Sequence, residues 1–414
     1  MNPILLKPEG DRKSQVIVNG KATGALSARD YFARKKSLMP KILESYHSLA
    51  AENDVIVIEG AGSPAEINLA ADDIVNMGLA REVASPVLLA GDIDPGGVFA
   101  QLYGTIALLS PKDRARVRGL VVNKFRGDVE ILRPGLAPLE EMCGAPVVGV
   151  VPYLALDLDD EDSLSARLAK REARSIVDVA VVRLPHLSNF TDFDALDRIC
   201  GVSVRYVSRA SELGRPDLTI LPGSKSTLAD ARWLADSGMG ACVRALAGEG
   251  ACVLGICGGY QILGKTWLLG DEEVPGLGIV GVETRRPGTS ADRLIDNIAL
   301  ASPLAKYPVV GYENHAGRTY LAAGAKPFGK LASSTGHGNN DADKADGALY
   351  RHVVGTYLHG PLLSKNPEVA DWLLAAALER HSKRTGQAAI ELAPLNDAEE
   401  LAANAFMAEK LGVK

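Results

Sequence analysis

Short apolar runs that end in a polar residue recur along this chain, and they restrict its fold more than any other feature. Asp54–Gly60, Ser85–Asp92, Arg118–Asn123 and Val147–Pro152 are the runs of the first half. Ile176–Leu184, Leu218–Gly223 and Ala251–Cys257 are those of the second. Each reads as a strand apolar on both faces, and helix-like segments separate them. Such strands form a parallel sheet, whose ligands sit beyond the strands' carboxyl ends. Met1–Pro8 and Gln15–Asn19 read as two further strands, followed by a charged helical stretch from Ala28 to Ala51. A chain of 414 residues holds two cores of this kind. The acidic join that begins at Asp157 marks the seam. It divides the chain into a first domain 1–160, a linker 161–175, a second domain 176–385 and a helical tail 386–414.

The strand-to-helix corner at Cys257 is the most chemical of these endings. Ala251–Ile256 is the strand, and Tyr260–Leu263 opens the helix. Gly255, Gly258 and Gly259 flank the cysteine, because a Cβ at such a bend meets neighbouring backbone. A helix N-terminus under the thiol favours the thiolate. The Gly258 N–H, and the Gly223 N–H from the loop after Leu221, are candidate donors to an oxyanion. Gln261, in the first turn of that helix, is grouped with them as a binding candidate. A lone cysteine is usually a buried apolar residue, but the Gly-x-Cys-Gly-Gly corner favours a nucleophile. The base is assigned to His359, which closes the run Val353–Leu358 and precedes Gly360-Pro361. His315, in a glycine-rich loop, is the reserve. His337 and His381 read as surface residues, and His47, His186 and His352 have no supporting constellation.

In the first half, the strand ends offer Lys7 for phosphate charge, Glu59 and Asp92 for a Mg2+ that bridges phosphates, and Asn123-Lys124 for a nucleotide base. Each alone could simply cap a strand; four at one sheet edge favour a site. Gly259–Thr266 fits the pattern G-x-x-x-x-G-K-[ST] to the letter, yet its bulky interior belongs to the helix after the cysteine. Gly223–Thr227 lacks the first glycine. Neither bares the consecutive N–H groups that a phosphate loop needs.

The net charge of −6 and the lack of a basic block argue against nucleic acid. Five cysteines without a CxxC pair read as reduced thiols. No signal peptide and no membrane-length apolar run is present, so the expected setting is the cytoplasm, away from membranes.

Together these strings resemble the cobyric acid synthases. Leu221–Lys225, the cysteine corner, Gly311–Thr319 and Tyr357–Gly360 are similar to that family's glutamine amidotransferase domain. Met1–Pro8, Ile58–Leu69, Gly91–Ala100, Asn123–Asp128, Leu132–Leu136 and Leu187–Asp194 agree with it. The resemblance implies an α/β protein of two domains. A parallel-sheet domain of the dethiobiotin synthetase, P-loop NTPase type comes first, and a class I, flavodoxin-like glutamine amidotransferase domain follows. It implies conversion of adenosylcobyrinic acid a,c-diamide to adenosylcobyric acid. ATP and Mg2+ would activate four carboxylates in turn, and glutamine would supply the ammonia. The partners are glutamine and the corrinoid, with no tightly bound organic cofactor and room for a homo-oligomer. A cobyrinic acid a,c-diamide synthase or a non-catalytic binding relic is the alternative. The chain departs from the family in three respects. The family's N-terminal phosphate loop is absent, which reads as truncation and predicts weak ATP binding. Pro95 replaces an arginine, and Pro361 stands where triad glutaminases carry Glu, a Glu the family itself lacks, so nothing in the sequence says what orients His359.

Overall fold

The computed structural model describes residues 2–8, 13–154, 176–188, 190–269, 272–286, 293–386 and 392–413. The chain divides into two compact units, Met1–Leu158 and Asp159–Lys414. The expected linker 161–175 lies outside the described residues.

Unit 1 begins with a three-stranded antiparallel meander, β1 (Ile4–Pro8), β2 (Lys13–Val18) and β3 (Lys21–Ser27). The turn Asn19-Gly20 joins β2 to β3, both residues at positive φ. Helix α1 (Met39–Glu52) follows. A separate parallel sheet then runs in the order β4 (Val87–Asp92), β5 (Val117–Phe125), β6 (Val147–Pro152). Helices α2 (Val98–Leu108) and α3 (Val129–Cys143) cover one of its faces. There Leu102, Ile106 and Leu139 meet Leu89, Leu120 and Val122. On the other face Leu88 is 62% exposed and Val148 55%.

Two expectations fail here. Lys7 lies on the antiparallel meander and not on the sheet that carries Asp92 and Asn123. Asp54–Glu59, expected as a buried strand, is irregular, and Val57 is 91% exposed. An apolar β-branched run becomes a strand only where a neighbour offers a ladder and a face to pack on. Among the described residues this run has neither.

Unit 2 is built on a six-stranded sheet. Its strands, with two short ones beside it and a hairpin, are β7 (Val177–Val182), β8 (Leu187–Ser188), β9 (Val202–Val207), β10 (Leu218–Leu221), β11 (Gly223–Ser224), β12 (Cys252–Ile256), β13 (Leu294–Ala301), β14 (Val309–His315), β15 (Ala348–Tyr350) and β16 (Val353–Thr356). The sheet order is β15-β16-β12-β10-β7-β9, parallel throughout except for the edge strand β15. Its helices include α4 (Thr227–Asp236), α5 (Gly258–Leu263), α6 (Pro367–Thr385) and α7 (Ala398–Lys410).

Both faces of this sheet are covered, and its central strand β12 is accordingly buried at every position. Val179, Val181, Ile220 and Leu254 pack against Leu373 and Ala377 of α6. Val182, Leu221 and Val253 pack against Leu234 of α4 and Tyr260 and Leu263 of α5. Each fully buried leucine or valine contributes about 1.5–3 kcal/mol. Beside the parallel sheet, β13 and β14 pair antiparallel from Leu294↔His315 to Leu300↔Val309. The tail does more than pack, because buried Asn404 of α7 donates to the carbonyls of Pro308 and Lys365.

Candidate active site

Strands β10, β12 and β16 are neighbours running the same way, so their carboxyl ends open onto one edge of unit 2. Cys257 follows β12 directly. Its backbone sits at φ +50, ψ −106, a conformation that a residue with a side chain adopts only under constraint. Its N–H donates to the Thr356 carbonyl at 2.8 Å, and its own carbonyl accepts the Gln261 N–H at 3.1 Å. The glycines around it are needed for contact as well as for the turn. A Cβ on Gly259 would lie 2.0 Å from the Leu221 carbonyl oxygen. One on Gly258 would lie 2.9 Å from Ser224 Cβ and 3.0 Å from Ser224 N, and one on Gly255 2.5 Å from Leu263 Cδ1.

The register Ile256↔Thr356 brings His359 to the same edge, three residues past the end of β16. His359 is buried, and its backbone exchanges hydrogen bonds with Tyr312 at 3.1 and 3.0 Å. The Tyr312 ring meets the imidazole edge-on, centroids 5.5 Å apart. Two residues further along β14, the Asn314 carbonyl lies 3.9 Å from Cys257 Sγ. Strand β14 therefore touches both expected reacting residues. Asn314 is also held by Arg293, whose Nε donates to its Oδ1 at 2.7 Å and whose Nη2 donates to its carbonyl at 3.1 Å.

The loop after β10 forms the third wall. Gly223 stands opposite Ser188 in the ladder of β11 with β8. Lys225 N donates to His186 O at 2.9 Å in the same register, so alternation makes Gly223–Ser188 a bonded pair as well. Ser224 N also borders the corner, 3.0 Å from where a Cβ on Gly258 would stand. His186 also has a constellation after all. Its Nδ1 lies 2.8 Å from Asp230 Oδ1, and Asp230, fully buried, accepts Ser224 Oγ at 2.6 Å.

Gln261 faces the interior and not the corner. Its Nε2 donates to Tyr357 Oη at 2.9 Å and its Oε1 accepts Trp267 Nε1 at 3.2 Å, so both ends of the amide are engaged. Tyr357 continues the network through Thr319 to Thr284, and burial holds its phenol well above the ordinary range, far from ionising. His315 is sealed beneath the site. It stacks on Tyr357 at 3.5 Å, lies 2.7 Å from Gly317 O through Nδ1, and is held below its ordinary pKa by burial. His381, expected at the surface, is half-buried beside Asp217 at 3.1 Å.

In unit 1, Asp92 and Asn123 are register partners at the ends of β4 and β5. Lys124, at φ +59, donates from Nζ to Asp92 Oδ2 at 2.6 Å, and that bond holds the exposed carboxyl below its usual range. Asp92 Oδ1 accepts the Asp94 N–H at 2.9 Å. Asn123 Oδ1 accepts the Lys124 N–H at 2.9 Å. The sequence reading pairs Glu59 with Asp92 for Mg2+, and the two do not fit that role as they stand. Both Asp92 oxygens have protein donors, and Glu59 lies on the irregular stretch. Among the described residues no three His, Cys, Asp or Glu side chains group as they would around a metal. No described helix is long and apolar enough to cross a membrane.

Comparison with known proteins adds to this geometry. Residues 178–367 match the CobB/CobQ-like glutamine amidotransferase domain, and 23–161 match an AAA domain. The chain is similar to the cobyric acid synthase of Ruminiclostridium cellulolyticum, 46% identical over 391 residues, 92% of this chain and 75% of that one. It is similar to that of Yersinia enterocolitica, 45% identical over 414 residues, 96% of this chain and 79% of that one. It is also similar to that of Streptococcus sanguinis, 47% identical over 370 residues, 87% of this chain and 72% of that one. A solved glutamine amidotransferase, 20% identical, covers 48% of this chain and 98% of its own at TM-score 0.37, too loose a likeness to carry weight.

Proposed function

The chain belongs to the cobyric acid synthase family, and from that premise we propose how its residues divide the reaction. The enzyme is a glutamine-dependent, ATP-using ligase of cobalamin biosynthesis. It amidates peripheral carboxylates of adenosylcobyrinic acid a,c-diamide to give adenosylcobyric acid.

In unit 2 the Cys257 thiolate attacks the glutamine carboxamide carbon, and a C–S bond forms. The charge that develops on oxygen is held by the Gly258 N–H and by the backbone of the Gly223–Ser224 loop. The C–N bond then breaks as His359 gives its proton to the departing nitrogen, which leaves as ammonia. Water, deprotonated by His359, attacks the glutamyl thioester; the C–S bond breaks and glutamate departs. In unit 1 a corrinoid carboxylate takes the γ-phosphoryl group of ATP, and ammonia displaces phosphate from the acyl phosphate. Lys124 and Asn123, at the end of β5, are the candidates to meet the nucleotide. Mg2+ accompanies ATP in this reading by its attraction to the phosphates, since the Asp92 carboxylate is already held by Lys124. The cytoplasm suits five cysteines of which none is in a disulfide.

The observation that carries the glutaminase reading is the register Ile256↔Thr356, with the Cys257 N–H on the Thr356 carbonyl. It seats the thiol and the histidine loop on adjacent strand ends. Cys257→Ser is expected to abolish amidation with glutamine and to leave amidation with added ammonia intact. Persistence of glutamine use, or loss of both activities, would overturn the division.

A further inference from the structure

Triad glutaminases carry a carboxylate two residues beyond the histidine, and here that position is Pro361. Another carboxylate reaches the same loop from far away in the chain. Asp192, just past β8, is 1% exposed. It accepts the Gly360 N–H at 3.3 Å and the Leu362 N–H at 3.1 Å, through Oδ1 in both cases. These two amides straddle Pro361, which has no N–H to offer. Its other oxygen, Oδ2, is buried and has no hydrogen-bond partner among the described residues.

Such an arrangement needs a reason. Taking a carboxylate out of water is unfavourable by several kcal/mol unless its oxygens are satisfied. A neutral amide or hydroxyl could accept the same two N–H groups without that penalty. Burial raises the Asp192 carboxyl to about 7, and the two backbone donors pull the other way. Lys365 is the cation that faces it, and Asp194 the neighbouring acid. Tyr312 grips the His359 backbone on one side, and Asp192 grips the residues immediately after it on the other. The imidazole thus projects from a segment held at both ends.

We propose that Asp192 is the positioning carboxylate of the glutaminase: it fixes the His359 loop through Gly360 and Leu362, and its spare oxygen favours the positive charge that the imidazole gains during turnover. It acts through His359 and touches no reacting atom. The proposal rests on the reading of Cys257 and His359 as nucleophile and base.

The test compares Asp192→Asn, which keeps shape and an acceptor but loses the charge, with Asp192→Ala, which loses both. Four quantities are measured on the full chain: glutaminase kcat, KM for glutamine, ammonia-dependent amidation, and the rate at which iodoacetamide alkylates Cys257. Alkylation needs the thiolate and an intact corner but no proton transfer from His359 to a leaving amine. Asp192→Asn is expected to lower kcat about a hundredfold, the scale of lost general acid–base catalysis. KM should stay within about threefold, and alkylation and ammonia use should not change. Asp192→Ala should lose at least as much kcat. Wild-type kcat in the Asn variant would overturn the proposal, because the charge would then be idle. A parallel fall in alkylation, ammonia use and kcat would also overturn it, since Asp192 would then only hold the fold. Survival of glutamine use in Cys257→Ser would sink the underlying reading instead, so the two failures remain distinct.

Discussion

The two units use one sequence design and arrive at different ends. In unit 2 the apolar runs become β7, β10, β12 and β16, with helices or the β13–β14 hairpin on both faces; Val179, Val181 and Leu254 are wholly enclosed. In unit 1 the run Asp54–Glu59 has the same composition, yet Val55 is 78% exposed and Val57 91%. Among the described residues, the parallel sheet of that unit has α2 and α3 on one face, while Leu88 and Val148 stand exposed on the other. An apolar run thus states that a segment is able to be buried. Which neighbour buries it is decided by residues elsewhere in the chain.

The polar strand ends follow the same rule. At the ends of β10, β12 and β16, close packing determines every backbone position, and the Gly223 loop, Cys257 and His359 converge. In unit 1, Asp92, Asn123 and Lys124 gather at the ends of β4 and β5, whereas Glu59 and Lys7 stand on other elements.

The largest test of this contrast is a cavity in the enclosed sheet. Leu254→Ala removes a side chain that is packed on all sides. It is expected to lower the stability of unit 2 by about 2–5 kcal/mol in urea unfolding, with glutaminase activity lost at a lower temperature. A loss below about 1 kcal/mol would show that the sheet is not the closed structure described.

Next in size is a pH slope. Asp346 in unit 2 is fully buried, and burial raises its carboxyl to about 7. Between pH 4 and pH 7 the unfolded chain has released that proton while the folded chain still holds it. Stability from this group is therefore complete below about pH 4 and falls as pH rises toward 7. Asp346→Asn, which cannot ionise, is expected to remove about 3 kcal/mol of the slope over that window. Asp92 in unit 1 has the opposite sign, because Lys124 holds its carboxyl low; what it contributes is lost as pH falls. A slope unchanged in Asp346→Asn would mean that water reaches this acid.

How much of this was legible in the sequence depends on distance along the chain. The corner was legible because its constraint is local: Gly255, Cys257, Gly258 and Gly259 announce a bend that a Cβ would block. His359 was legible as the polar end of an apolar run. Asp192 was hidden, since it acts on the amides of Gly360 and Leu362, 168 and 170 residues away, and an amide leaves no mark in a sequence. His186 was hidden in the same way, its partner Asp230 being 44 residues on. The direction of the Gln261 side chain was not legible, because its place near the corner does not say which way α5 turns it. The helix is buried along its whole length, so position alone could not show that its amide faces Tyr357 and Trp267.

The smallest expected effect sharpens the comparison most. Val57→Lys places a charge in the middle of an apolar run. In the central strand β12 of the unit 2 sheet such a change would bury an unpaired ammonium and unfold the unit. At position 57 the side chain already faces solvent, so the change in stability should stay within about 0.5 kcal/mol. Its effect belongs to another property. A short, exposed, β-branched run with little charge invites pairing between chains, so light scattering on heating should show less association in the variant. A loss of more than about 1 kcal/mol would mean that Val57 is covered in solution, and the difference between the two units would then reduce to which strand ends bring reactive groups together.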